Sequence, residues 1–449
     1  MESELVSEVE QLGGIGSRPP SRPRNPYSRG SVDNQTVTRI DADTSPSQSA
    51  SSGQSSGGGK EVPETETGRE WSQPRDGPGN DAEAETMHSS NDEDNVRDLE
   101  IKDEKVPFVP TDESRYQAAC KIYGVVPVRS FLQNIHASEL NMMHCGLGLQ
   151  HIRALAVSLV TNTSILKLNL KDNRLEGLGG VAIAEMLKEN CYITEINLSE
   201  NKLGVEGAHA ISSMLMENST LVSINLSGNH FNDHAAIYLA EALKTNQKVE
   251  DLDLSYNKMG SVAGELLGEA IAENTAMKVL NLSWNCIRGS GALALAKSLG
   301  ANIFLRKVDL SYNGLAKEGA ATLGEALTLN NVLEELNLSI NQIPLEGAVS
   351  FAMGLQKNKT LRILGMGRNP MQCLGCIAVL KAIQENPESA LEFLDFSEIP
   401  VDQDFMDLYD NVKETFPSLQ VKHGVGIGIK KKQHLSVSAG AIQRTQVDD

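Results

Sequence analysis

Aromatic residues make up only 4% of the 449 residues, and just two are tryptophan. Several compact cores packed with large rings are therefore disfavoured, and an architecture of many small repeated cores fits better. Cysteine is sparse too. The six, Cys120, Cys145, Cys191, Cys286, Cys373 and Cys376, are too scattered for a disulfide framework and read as reduced thiols, which points to the cytoplasm or nucleus. No stretch approaches the roughly 18 uninterrupted apolar residues of a membrane-spanning helix. The opening MESELVSEVEQLGG is acidic where a signal peptide needs a basic start and an apolar run, so secretion is not expected. Positive charge is also short: 40 Lys and Arg stand against 59 Asp and Glu, a net charge of −19. Nucleic acid and anionic membrane would repel such a chain, so its partner should be a protein that is neutral or basic.

Residues 1–107 are rich in Ser, Gly, Pro, Asp and Glu, with runs such as SPSQSASSGQSSGGG. That composition cannot offset the entropy of ordering and predicts a disordered acidic tail. Within it, RPPSRPRNP is a Pro/Arg cluster of the kind that can serve as a polyproline ligand. Residues 108–136 turn helical, with Tyr116, Ala119, Cys120 and Tyr123 on one face, and are expected to form an N-terminal capping helix.

Beyond residue 136 the chain repeats. Asn173, Asn201, Asn229, Asn257, Asn285, Asn313, Asn341 and Asn369 stand 28 residues apart without slippage, and a second column from Asn162 to Asn386 keeps the same step. A fixed period of this length means a solenoid. In ILKLNLKDNRL, from Ile165 to Leu175, the spacing L-x-x-L-x-L-x-x-N-x-L reads as a short strand entering a tight turn. The rest of each unit is helical, as in the pairs Ile183 with Leu187 and Leu295 with Leu299 at i and i+4. One strand and one helix cannot bury their apolar faces alone, so every unit depends on its neighbours. The expected fold is an α/β solenoid: a curved horseshoe with parallel strands on the concave face and helices on the convex face. Nine units fill 137–390, with Cys145 in the first asparagine slot. A degenerate unit and cap fill 391–423, where the register runs two residues late and Ile399 replaces asparagine, and 424–449 is a flexible tail. The asparagine column is a structural turn ladder, because its amide can both donate to and accept from turn backbone.

The 28-residue unit resembles the ribonuclease-inhibitor type of leucine-rich repeat. The segments YQAACKIYGVVPV from Tyr116 and LKENCYITEINLSENKLGVEGA from Leu187 are similar to the leucine-rich repeat-containing protein 74 group. The resemblance implies a protein-binding array, since ribonuclease inhibitor, the Ran GTPase-activating protein and other arrays of this type all work by binding protein. It implies no particular activity, because the protein 74 group has no assigned activity to carry over.

Motifs that could carry chemistry are weak. Cys373-Leu-Gly-Cys376 has redox or half-zinc spacing but no second ligand pair, and reads as small residues at the core edge. Gly424-Val-Gly-Ile-Gly428 lacks the strand, helix and Gly-Lys-Ser/Thr of a phosphate loop, and three lysines at Lys430 to Lys432 are too few for an address signal. The Asn-Leu-Ser sites at Asn197, Asn225, Asn281 and Asn337 recur only because the strand template recurs. No catalytic, metal or cofactor site is expected, and the chain is read as non-enzymatic.

One feature lies outside the template. Immediately before the column asparagines stand Asp172, Glu200, Gly228, Tyr256, Trp284, Tyr312, Ile340 and Arg368. Four consecutive units thus place Tyr256, Trp284, Tyr312 and Ile340 at one exposed edge, where they are expected to form a partner-binding platform. The leading function is an interaction or scaffold protein binding a partner on the concave face. Regulation of a small GTPase, as by the Ran activator, is an alternative, although the acidic excess lies at the other terminus. Inhibition of a basic enzyme such as a ribonuclease is another, weakened by a mixed strand face: Lys167, Lys171, Arg174 and Lys307 lie beside Glu195, Asp251, Asp253 and Glu335. Nothing in the sequence favours a monomer over an oligomer.

Overall fold

The structure, a computed structural model, describes residues 111–426. The readings of the acidic tail, the Pro/Arg cluster, Lys430 to Lys432 and the tail beyond 426 lie outside those residues, as does Trp71, one of the two tryptophans. Among the described residues, eleven parallel strands run in strict chain order in one sheet, from β1 (Glu139–Asn141) to β11 (Gln420–His423), with helices alternating between them. This is an α/β solenoid. Most strands are three residues long, with the central side chain buried and its two neighbours more open, as for Leu252 between Asp251 and Asp253. Alternation of side chains across an extended strand produces that pattern directly. Register follows the period: Leu252 of β5 (Asp251–Asp253) pairs with Leu280 of β6 (Val279–Asn281), and Leu280 with Val308 of β7 (Lys307–Asp309).

Behind the sheet, the i and i+4 pairs Ile183 with Leu187, Leu239 with Leu243 and Leu295 with Leu299 are buried. Small residues let successive helices close in. A Cβ on Gly264 would stand 2.7 Å from the Cα of Gly291 in the next helix. Strands are spaced at roughly 4.8 Å and packed helices at about 8–10 Å, so the stack bends toward the strand side.

The two ends are closed differently. At the amino end, one expected capping helix is two. Helix α1 (Asp112–Tyr123) starts on the Thr111 side chain, which accepts from the Ser114 N–H at 3.3 Å, and stops at Gly124 with φ 67°. Glycine adopts that left-handed conformation without steric penalty, and Pro127 then keeps the chain extended until α2 (Arg129–Asn134). Tyr116 and Phe131 pack edge to face at 4.4 Å beneath the first unit, and burial pushes the Tyr116 hydroxyl up to about 12. At the carboxyl end, β9 (Ile363–Gly365) pairs with β10 (Phe393–Phe396) at a step of 30, Ile363 opposite Phe393, and Ile399 is buried. Strand β11 was not anticipated. It pairs with β10 and is held by Tyr409, whose hydroxyl donates to the Leu419 carbonyl and accepts from the Val421 N–H, both at 3.2 Å.

Candidate functional site

Each strand ends in a turn, and two adjacent residues of that turn face opposite environments. The column asparagine is buried. Asn229 donates from Nδ2 to the carbonyls of Leu198 at 2.9 Å and Leu226 at 3.0 Å, and its Oδ1 accepts from the N–H groups of Asn201 at 3.0 Å and Leu203 at 3.3 Å. One side chain therefore ties its own turn to the preceding unit, satisfying backbone that would otherwise be buried unpaired. The same wiring recurs at Asn173, Asn201, Asn257, Asn285, Asn313, Asn341 and Asn369. It reaches the first unit through the Cys145 N–H, which donates to Asn173 Oδ1 at 3.0 Å while the thiol stays exposed. The second asparagine column works at the helix ends: Asn274 Nδ2 donates to the Leu243 carbonyl at 2.7 Å, and its Oδ1 accepts from Met277 N–H at 2.8 Å.

The residue before each column asparagine lies three positions beyond the end of its strand and holds a positive φ in every unit. The values include 60° at Glu200, 67° at Gly228, 54° at Tyr256 and Trp284, 55° at Tyr312, 56° at Ile340 and 57° at Arg368. The turn imposes it, because each of these N–H groups must reach the carbonyl of the residue just before its counterpart in the next unit, as Trp284 reaches Ser311 at 3.0 Å. For residues other than glycine the left-handed region costs roughly 1–2 kcal/mol, and for a β-branched residue such as Ile340 it is an outlier. Gly228 shows that the turn accepts glycine. Three large aromatics and an isoleucine in succession are the least favoured occupants of this position.

These side chains meet. Tyr256 and Trp284 stack with ring centroids 5.1 Å apart and planes 13° apart, and Trp284 and Tyr312 stack at 3.6 Å and 15°. Tyr256 is 58% exposed and Trp284 42%, while Tyr312 and Ile340 are half-buried. Side chains in one column follow one another along the solenoid at the strand spacing, so the three rings form one continuous stack in which Trp284 lies between the two tyrosines. Beyond Ile340, Arg368 extends the group: its Nη1 donates to the Tyr312 hydroxyl at 3.3 Å and its Nη2 is ion-paired with Glu398. Sequence reasoning placed Arg368 in the column but not in the site. Its long side chain, able to reach back over one unit, was the available signal.

The strand face beside the rim is largely self-neutralised. Lys167 meets Glu195 at 3.0 Å, Lys171 meets Glu200 at 2.9 Å, Lys278 meets Glu250 at 2.7 Å and Lys307 meets Glu335 at 2.7 Å. Acid accumulates at Asp251, whose carboxyl is raised by desolvation and by the neighbouring charges of Asp253 and Glu195. Burial pushes the Cys373 thiol up to about 11 and the Cys376 thiol further still, so both stay protonated at neutral pH and are poor nucleophiles or metal ligands. No helix among the described residues is long and apolar enough to cross a membrane.

The family profile described as "Leucine Rich repeat" matches seven tandem segments, 161–184, 189–212, 217–240, 245–268, 273–296, 301–324 and 329–352. Human (Homo sapiens) leucine-rich repeat-containing protein 74B is 46% identical over 50 residues, 11% of this chain and only 13% of that protein. A solved structure titled Leiomodin-1 Actin-Binding Site 2 (ABS2) is 19% identical, covers 39% of this chain and 86% of that one, and has a TM-score of 0.28.

Proposed function

We propose that this chain, a leucine-rich-repeat protein, holds a protein partner against the rim formed by Tyr256, Trp284, Tyr312 and Ile340, as an interaction or scaffold protein without catalysis. The observation that carries the reading is the mismatch between conformation and residue type: four units in a row hold bulky apolar groups where left-handed backbone favours glycine or asparagine. Unfavourable conformations of this kind persist where exposed side chains serve a use other than packing. Exposed Trp and Tyr are also the groups most often found at binding hot spots.

The strand face supports a neutral or mildly basic partner rather than a strongly basic enzyme, because its acids are mostly spent on neighbouring lysines and arginines. Nucleic acid and membrane are poor fits to a chain of net charge −19. The free, exposed thiols of Cys145, Cys191 and Cys286 suit a reducing compartment, the cytoplasm or nucleus. Affinity purification from cells with the full chain, in parallel with a Trp284→Ala, Tyr312→Ala double variant, tests the proposal. A partner retained by the first and released by the second, at matching melting temperature, supports it. Equal capture by both places the contact elsewhere.

A further inference from the structure

Between the strand face and the rim runs a polar ridge two columns wide. In nine of ten successive turns an asparagine or aspartate accepts from the N–H two residues on, from Asn141 with Met143 at 3.1 Å to Asp395 with Ser397 at 2.6 Å. The ninth turn breaks the ridge. Gly365 and Gly367 hold its two positions, and the buried Gly367 has no acceptor for its N–H among the described residues. Packing explains only one of the two glycines. A Cβ on Gly367 would stand 3.2 Å from the Ser397 backbone nitrogen, whereas one on Gly365 would meet chiefly the movable end of Asn337, whose Oδ1 lies 2.6 Å away.

Two cavities open on this gap and share Ser339 and Asp395. One, of about 650 Å³, reaches the rim at Tyr312, Ile340 and Arg368, and the other, of about 450 Å³, reaches the strand face at Ile363 and Phe393. Ser397 Oγ, on the wall of the first, is buried without a hydrogen-bond partner. The unmet groups are therefore an N–H and a hydroxyl, both able to donate, and their ligand must accept.

Charge decides the type of acceptor. The cations here are already matched, Arg368 by Glu398 and Lys422 by Asp395 at 3.3 Å, so a carboxylate would face Asp395 without a counter-ion of its own. The ridge avoids that arrangement. Asp253, Asn281, Asp309 and Asn337 alternate, and where they touch the amide donates to the acid, as Asn337 Nδ2 does to Asp309 at 3.0 Å and Asn225 Nδ2 to Asp253 at 3.1 Å. Gly365 pairs with Asn337 on one side and Asp395 on the other, so a carboxamide completes the pattern. Its oxygen accepts from the Gly367 N–H and the Ser397 hydroxyl, and its nitrogen donates to Asp395.

We propose that this gap receives an asparagine or glutamine side chain of the protein partner, with apolar residues of the same segment lying on Tyr312 and Ile340 to one side and Ile363 and Phe393 to the other. The inference rests on the rim reading above and names a second contact for the same partner.

The test selects a displayed library of random dodecapeptides on the full chain and titrates the enriched peptides by fluorescence anisotropy. Asparagine or glutamine beside an apolar residue is expected at one fixed position, and replacing it with aspartate or leucine should weaken binding about tenfold or more, the scale of one buried hydrogen bond. Gly365→Asn supplies the missing oxygen from within, so it should release the peptides to the same extent and slow hydrogen exchange at the Gly367 amide. Ser397→Ala adds no bulk and should weaken binding several-fold at an unchanged melting curve. No enriched motif, a motif without a carboxamide, equal binding of the aspartate peptide, or full binding by either folded variant overturns the proposal. Unchanged exchange at Gly367 in Gly365→Asn overturns it as well. Peptides released by Trp284→Ala but indifferent to both variants leave the rim reading standing alone, and the converse strikes the rim and keeps the gap.

Discussion

Two neighbouring columns of one turn, the asparagines from Asn173 to Asn369 and the residues just before them, differ in almost every respect. The first is buried, invariant across eight units and bonded to two units at once. The second is exposed or half-buried, ranges from Asp through Gly to Trp, and holds a positive φ throughout. The difference teaches that geometry and identity are separable here. The backbone of this column is dictated by the repeat, while its side chains are not, so on the proposed reading a partner, rather than the fold, selects Tyr256, Trp284, Tyr312 and Ile340.

Both columns hang from the strand leucines, and Leu254→Ala sets the scale. Leu254 is fully buried, and its carbonyl accepts from Asn257 Nδ2 at 3.0 Å and Asn285 Nδ2 at 3.1 Å. Truncation should lower the unfolding free energy by about 2–5 kcal/mol, through lost apolar transfer and a cavity shared with both flanking units. A denaturant titration with unchanged m-value checks it, and a loss below about 1 kcal/mol would mean the register is misassigned.

Asn257→Ala should come next, at about 1–3 kcal/mol, because Oδ1 no longer meets the N–H groups of Asn229 and Phe231, both at 3.0 Å, and buried amides are left unpaired. The comparison breaks if Asn257→Ala proves no more harmful than a change at Tyr256, one position earlier and 58% exposed.

The buried column was legible from the sequence because every unit faces the same physical demand, and repetition at 28 displays it. The strands, helix pairs and late register at Ile399 were legible for the same reason. Strand β11 was not, since Gln420–His423 has only half-buried alternate residues and no asparagine to mark it. The rim was read by elimination, as apolar residues the core does not need. Its face-to-face stacking and its positive φ were invisible, because they follow from the strand spacing and the turn's hydrogen bonds rather than from residue type. Gly228 was the one hint that the position is left-handed.

Trp284→Ala should have a smaller effect on folding than either buried change. It removes two stacked contacts, together worth about 1–2 kcal/mol, in a position where alanine gains no relief from the left-handed backbone. Binding should fall further than stability does, by about 2 kcal/mol or more against a captured partner. Thermal melts and a titration on the same samples separate the two. With Trp71→Phe in the background, Trp284 fluorescence reports the rim alone, since the chain has only two tryptophans. Unfolding of the array by this single change would turn the rim from a binding surface into packing.

The smallest expected effect has the opposite sign and tests the strain itself. Ile340 holds φ 56°, a conformation in which its β-branch crowds the backbone and which asparagine tolerates several-fold more readily. Ile340→Asn therefore relieves roughly 1–2 kcal/mol of conformational cost. It also gives up part of the apolar contact of a half-buried side chain, about 0.5–1 kcal/mol. The net should be stabilisation of up to about 1 kcal/mol, whereas Ile340→Ala keeps a Cβ, loses the same contact and should destabilise. The sign difference between the two substitutions cancels the shared loss of packing and leaves the strain. If asparagine and alanine shift the melting temperature equally, the left-handed turn is indifferent to its occupant. The run of Tyr256, Trp284, Tyr312 and Ile340 then needs no selection from outside the fold.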